Sequence, residues 1–193
     1  MARLTMPDAS TFSEHQKRVH DAIASGPRGR VRGPLAVWLN RPGLAEHAQA
    51  LGQYCRYDSS LPTRLSELAI LTMAVAWQAE FEWWAHKPIA LEAGVPAEVV
   101  DALCRGDDIP FVMADERVVH AFVSSLVETR HVPDALYQEA VDLLGEGSVV
   151  DLVGLAGYYT LISMTLKAFE IEPPADQPRE LAAGRQPNTR RVS

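Results

Sequence analysis

Glu82 and His86 stand four residues apart in a mostly apolar run, Glu67 to His86, that also carries three tryptophans. On a helix this spacing puts both side chains on one face, where a carboxylate can orient an imidazole and favour its charged form. That is the equipment of an acid/base site, although an exposed pair on an ordinary amphipathic helix has the same spacing. Glu67 is the third candidate. On one straight helix the nineteen residues to His86 would rise roughly 28 Å, so Glu67 joins the pair only if the chain breaks between them. Trp77-Gln78-Ala79-Glu80 contains neither Pro nor Gly and demands no break. Two carboxylates and an imidazole are also reasonable ligands for a divalent ion, which keeps a metal site at Glu67, Glu82 and His86 as an alternative.

The elements that must position these residues read as helices throughout. Leu65, Leu68, Ala69, Thr72, Ala76, Ala79 and Trp83 recur at spacings of three and four, which is helix periodicity. Pro62 and Thr63 start this region, with Thr63 as a capping residue, and Gly94 with Pro96 stops it. An unbroken helix of that length is unusual in a globular domain, so two helices with a kink near 77–80 are expected. Around them the pattern predicts helices over 11–24, 44–57, 96–103, 115–130, 133–144 and 148–169. Ser13 or Thr11 caps the first, Asp115 caps the fourth of these, and a short apolar piece spans 35–39. His120 lies beside the buried stripe of its helix, and the last helix is apolar almost all round. No segment alternates over strand length, so the fold class is all-α. Three parts follow: residues 1–33 form an N-terminal helix and a basic Gly/Pro loop, 34–172 form a helical domain, and 173–193 form a Pro- and Arg-containing tail that stays flexible or drapes over a surface. The loop holds Arg28, Arg30 and Arg32, which either form a solvated linker or lend one guanidinium to a ligand carboxylate.

At 193 residues the chain is long enough to bury a sizeable core, and its 22 % charged fraction is ordinary for a globular protein. A net charge of −7 argues against a nucleic-acid-binding surface and leaves any anionic substrate dependent on local arginines. Two separated cysteines, Cys55 and Cys104, have neither metal-like nor redox-like spacing, which fits a reducing compartment. With no leader-like start and no uninterrupted apolar window of membrane length, a cytoplasmic protein without a membrane partner is expected.

Several stretches, in one order, resemble the carboxymuconolactone decarboxylase and alkylhydroperoxidase D superfamily. They are Trp38 to Ala45, Ser60 to Leu71, the Glu67 to His86 run, and Asp151 to Thr160. In the peroxidase branch a Glu is followed, after eleven residues, by Cys-x-x-Cys-x-x-x-His. Here Glu67 and His86 match, while the two Cys positions fall on Ala79 and Glu82, so the likeness is to the decarboxylase-like branch. The resemblance implies a helical bundle of about seven helices, assembled as a homo-oligomer such as a trimer or hexamer, and a kink that lets Glu67 approach His86.

It also implies decarboxylation of a small carboxylated lactone. The conjugated carbonyl holds the electrons left by carbon dioxide, so neither metal nor organic cofactor is required. His86 is then the candidate proton donor, with Glu82 or Glu67 tuning it. Trp83, Trp84 and Trp77 are candidate apolar walls, Arg64 or Arg41 a candidate carboxylate ligand, and Tyr158 or Tyr159 a candidate pocket residue. Without thiols at 79 and 82, thiol peroxidase chemistry lacks its parts. A homologue that keeps the fold as a non-enzymatic binding protein is the reading from another class.

Overall fold

The computed structural model describes residues 3–181, and every absence noted below concerns those residues. They form nine α-helices: α1 (Glu14–Ser25), α2 (Pro34–Trp38), α3 (Pro42–Gln53), α4 (Thr63–Trp77), α5 (Glu80–Glu92), α6 (Ala97–Arg105), α7 (Ala114–Thr129), α8 (Asp134–Leu144) and α9 (Glu146–Phe169). No strand occurs among the described residues, as the absence of alternating sequence predicts. The count exceeds seven partly because the short piece at 35–39 is itself a helix, begun by Pro34 at its first position.

The centre is α4. Every residue from Leu65 to Val75 is buried, because α5, α7 and α9 cover it on different sides. A helix buried all round must be apolar all round, so Glu67 at 3 % exposure is an exception that needs partners. One large core joins α1, α3, α4, α7 and α9. A second lies between α4, α5 and α6, where Leu68, Leu71, Trp83, Val99 and Leu103 pack together.

The break between α4 and α5 is present without Pro or Gly. Gln78 takes the left-handed conformation (φ 51°, ψ 45°), and the Ala79 N–H returns to the Ala74 carbonyl at 2.8 Å. This conformation disfavours side chains with a Cβ. Gln78→Gly is therefore expected to raise stability by about 0.5–1 kcal/mol, a rise in melting temperature of about 1–4 °C. An unchanged or lower melting temperature would show that the Gln78 Nε2 bond to the Val75 carbonyl (2.8 Å) outweighs the strain.

Two capping expectations are corrected. Met113 occupies the N-cap of α7 and Asp115 is its second helical residue, in the first turn, where its carboxylate accepts from Arg64 and from the Glu116 N–H. Pro62 is the N-cap of α4, and no side chain caps that end, so Thr63 is simply the first helical residue. Arg64 provides the reason that Asp115 serves elsewhere: a charged donor competes successfully for its oxygens.

α9 is the long apolar helix anticipated, and by length and composition it could cross a membrane, yet 61 % of its most apolar window is buried within the fold. Its outer face leaves Val150, Val153 and Met164 exposed. Of the C-terminal tail, the described portion drapes over α5 and α6: Gln177 accepts from the Trp84 indole, Glu180 accepts from the Trp83 indole and Lys87, and Leu181 is buried. Residues 182–193 lie outside the described residues.

Candidate acid/base site

The turn at Gln78 reverses the geometry that a straight helix would impose. Glu67 Oε2 lies 2.6 Å from His86 Nδ1, although nineteen residues separate them. Glu82 Oε1 lies 3.1 Å from His86 Nε2 across one helical turn. All three side chains are nearly or fully buried. Each ring nitrogen thus faces its own carboxylate, which is the arrangement for an imidazolium donating from both sides. Burial opposes that charge, but Glu67 and Glu82 outweigh it, so the His86 pKa lies above its ordinary value.

Two further groups complete the inner site. The Tyr159 hydroxyl stands 3.3 Å from His86 Nε2, with the two rings edge to face at 5.4 Å. Burial pushes the Tyr159 pKa well above its usual value, so the phenol stays neutral and can donate a hydrogen bond. Arg56 comes from the turn after α3 and places a guanidinium nitrogen 3.6 Å from Glu67 Oε1. It compensates a carboxylate that would otherwise be buried beside another.

The site opens into a cavity of about 220 Å³. Arg28, Arg30, Arg32 and Arg56 line it together with Tyr158, and Phe81, Leu35, Ile89 and Ile162 supply its apolar surface. The basic loop at 26–34 is therefore part of the cavity wall. Gly33 permits this: at φ +56°, a Cβ there would come within 2.5 Å of the Phe81 ring. Arg32 also stacks over Trp84, its guanidinium carbon 4.9 Å from the ring centre. In a chain of net charge −7, four arginines around one small cavity form a local anion-attracting site.

Glu67, Glu82, His86 and Tyr158 come together as the sequence suggested, but Trp83 and Arg64 do not join them. Trp83 is 1 % exposed inside the second core, its indole N–H bound to Glu180 at 3.1 Å. It follows Glu82 by one residue, a rotation of about 100° on a helix, so it faces away from the cavity. Arg64 is held by Asp115 (2.7 Å) and Glu116 (2.5 Å) at the junction with α7. Arg41 borders a shallow depression beside His15 and Pro42. Trp77 lies in a groove against α7 and α9, and Trp84 is engaged by Arg32 and Gln177, so no tryptophan lines the cavity. Arg56 and Tyr159 complete the site in their place. Arg56 carries no sequence signal beyond its charge; Tyr159 was one of two adjacent candidates.

The geometry does not gather a metal ligand set. Glu67 and Glu82 address different ring nitrogens, so they do not converge on one point with His86, and no group of three or more His, Cys, Asp or Glu among the described residues is arranged to hold an ion. Cys55 and Cys104 are free thiols assigned to different cores, and burial raises both pKa values. That is the opposite of an activated thiolate. His120 donates or accepts at Thr72 Oγ1 (3.1 Å), and burial alone lowers its pKa, in keeping with its place at the edge of the core.

The fold is similar to that of solved structures of the alkylhydroperoxidase D kind, and within it this chain clamps His86 between two carboxylates. More specifically, the model of the carboxymuconolactone decarboxylase family matches residues 42–122, a span that includes Glu67, Glu82 and His86. Similar solved structures include an uncharacterized peroxidase-related protein from Silicibacter sp. TM1040 (13 % identity, 91 % of this chain and 93 % of that one, TM-score 0.74). Another, from Ralstonia eutropha JMP134, is described as an alkylhydroperoxidase AhpD core (15 % identity, 96 % and 97 % covered, TM-score 0.73). A third is a variant of the debrominase Bmp8 in complex with 2,3,4-tribromopyrrole (16 % identity, 91 % and 95 % covered, TM-score 0.72). These likenesses establish the fold. No curated protein matches the sequence.

Proposed function

We propose that the protein is a cofactor-free decarboxylase of a small carboxylated lactone or a related acid whose carboxylate is conjugated, through the scissile bond, to a carbonyl. The observation that carries this reading is His86 clamped between two carboxylates, which favour its charged form, at the base of an arginine-lined cavity. The guanidinium groups bind the acid. The carbon–carbon bond to the carboxylate breaks, carbon dioxide leaves, and the electron pair moves onto the carbonyl oxygen as an enolate. The neutral Tyr159 hydroxyl is a donor within reach of that oxygen's side of the ring, where a fixed donor stabilises developing charge. His86 then gives its Nε2 proton to carbon, the enolate collapses to the carbonyl, and solvent restores the proton to His86. Glu67 fixes the ring through Nδ1 and keeps it charged.

The test is a paired assay on purified protein: loss of a lactone acid followed by absorbance, and consumption of an organic hydroperoxide with dithiol present. Lactone turnover without hydroperoxide turnover is expected. Hydroperoxide consumption alone would replace the reading with a redox one.

The pH dependence has a definite sign. A proton donor works while protonated, and the folded-state pKa of His86 is raised above its ordinary value by Glu67 and Glu82, so kcat is expected to hold to higher pH than an ordinary imidazole would allow and then to fall as pH rises further. The stability that the clamped imidazolium supplies follows the same course: it is fully present below the unfolded value and is lost as pH rises through the folded one. A kcat that instead climbs between pH 6 and 8 would assign His86 the role of a base.

A further inference from the structure

A second cavity, of about 290 Å³, lies between α4, α6 and α7, and its charge is the reverse of the first. Its wall includes Asp107 and Glu128 and no Lys or Arg, whereas four arginines line the cavity at His86. Thr72, on its wall, follows Glu67 by five residues on α4. That is a rotation of about 140° on a helix, so the two cavities open on different faces of α4.

Hydrogen bonds fix the state of His120 in this second cavity. The Thr72 hydroxyl spends its one proton on the Leu68 carbonyl at 2.9 Å. It therefore accepts from His120 Nδ1, 3.1 Å away, and Nδ1 carries the ring proton. Burial lowers the His120 pKa, so the ring stays neutral near pH 7 and Nε2 keeps a lone pair. Nε2 has no hydrogen-bond partner among the described residues, and it is not sealed from solvent. Ser124 lines the same cavity one helical turn along α7, and Val75, Leu103 and Ile109 supply apolar wall. Arg105 already answers Asp107 at 2.6 Å, while Glu128 joins no ion pair among the described residues, so one uncompensated carboxylate stands on the wall.

We infer that this cavity is a second ligand site, separate from the acid/base centre, and that it takes a small primary alkylammonium ion, whose N–H groups donate to His120 Nε2 and Ser124 Oγ while its chain lies against Val75, Leu103 and Ile109. A charged donor on a neutral acceptor makes the stronger kind of hydrogen bond, and Glu128 favours the cation over a neutral amine or alcohol. A carboxylate ligand would meet Glu128 and find no guanidinium. The site rests on the residues of this cavity and stands whatever reaction occurs at His86.

Titration calorimetry at neutral pH and fixed low salt with n-butylammonium chloride and butan-1-ol, a cation and a neutral molecule of equal size, tests it. The wild-type protein is expected to bind one butylammonium at least about tenfold more tightly than the alcohol, the scale of one hydrogen bond to a charged group. In the imidazole proton–nitrogen NMR spectrum of the wild type, His120 should start as the Nδ1–H tautomer, and butylammonium should move its Nε2 resonance while those of His86 stay in place. His120→Phe, which keeps a ring beside Phe111, should bind both ligands equally. Equal affinities in the wild type, binding of neither ligand, an Nε2–H tautomer, a shift at His86 in place of His120, or a preference that survives in the folded variant would each overturn the inference. If the variant fails to fold, the wild-type spectrum decides alone.

Discussion

His86→Asn is expected to lower kcat by about 10²–10⁴-fold, the span that a positioned general acid contributes. Asn is the informative replacement because His86 is buried between Glu67 and Glu82. Ala would leave two carboxylates facing a void, with Arg56 as their nearest compensation, and lost folding would mimic lost catalysis. An amide can still donate to one of them. The variant's far-ultraviolet circular dichroism and melting transition should show a folded protein, and its KM should change much less than its kcat, since the arginines of the cavity wall remain. Turnover within a factor of a few of wild type, in a folded variant, would remove the imidazole from the proton transfer.

A comparably large effect is expected on stability from a residue outside the cavity. Arg64→Met should destabilise the fold by about 3 kcal/mol, the lower end for breaking a buried ion pair, since Arg64 itself touches solvent. The Glu116 side chain has no exposure, Arg64 supplies its Oε1 partner, and its Oε2 already lacks one, so removal of the guanidinium leaves a buried carboxylate unanswered. For a chain of this size the melting temperature should fall by roughly 6–12 °C. KM for the acid substrate should stay put, because Arg64 does not line the cavity. A large rise in KM at unchanged stability would return Arg64 to the substrate.

The contrast between these residues shows what could be read from sequence. Helix periodicity located the elements, because burial imposes a 3.6-residue repeat that the order of apolar residues records. The pair Glu82 and His86 followed from that same repeat. Glu67 did not: its approach depends on Gln78 adopting a left-handed conformation that the local sequence neither requires nor favours, so only the family resemblance and the excessive helix length pointed to it. Arg28, Arg30 and Arg32 were visible as a basic loop, but whether a loop folds back over a cavity is decided by long-range contacts such as Gly33 against Phe81. Residue type misled at Trp83 and Arg64. An aromatic and a guanidinium suit a pocket chemically, yet their direction was set by the second core and by the two acids of α7. Arg56 sits in the turn after α3, where its orientation toward Glu67 leaves no trace in any repeat.

The hold of the C-terminal segment on α5 bears on how the protein is made. Glu180 reaches back 97 residues to Trp83 and 93 to Lys87, so the outer brace of α5 is among the last parts of the described chain to leave the ribosome. At ordinary elongation rates of roughly 5–20 residues per second, α5 waits about 5–20 s for that brace. During this interval the indoles of Trp83 and Trp84 lack their acceptors, and the surface that Leu181 covers is open. The nascent chain therefore carries Glu82 and His86 well before the contacts of residues 177–181 with their helix can form.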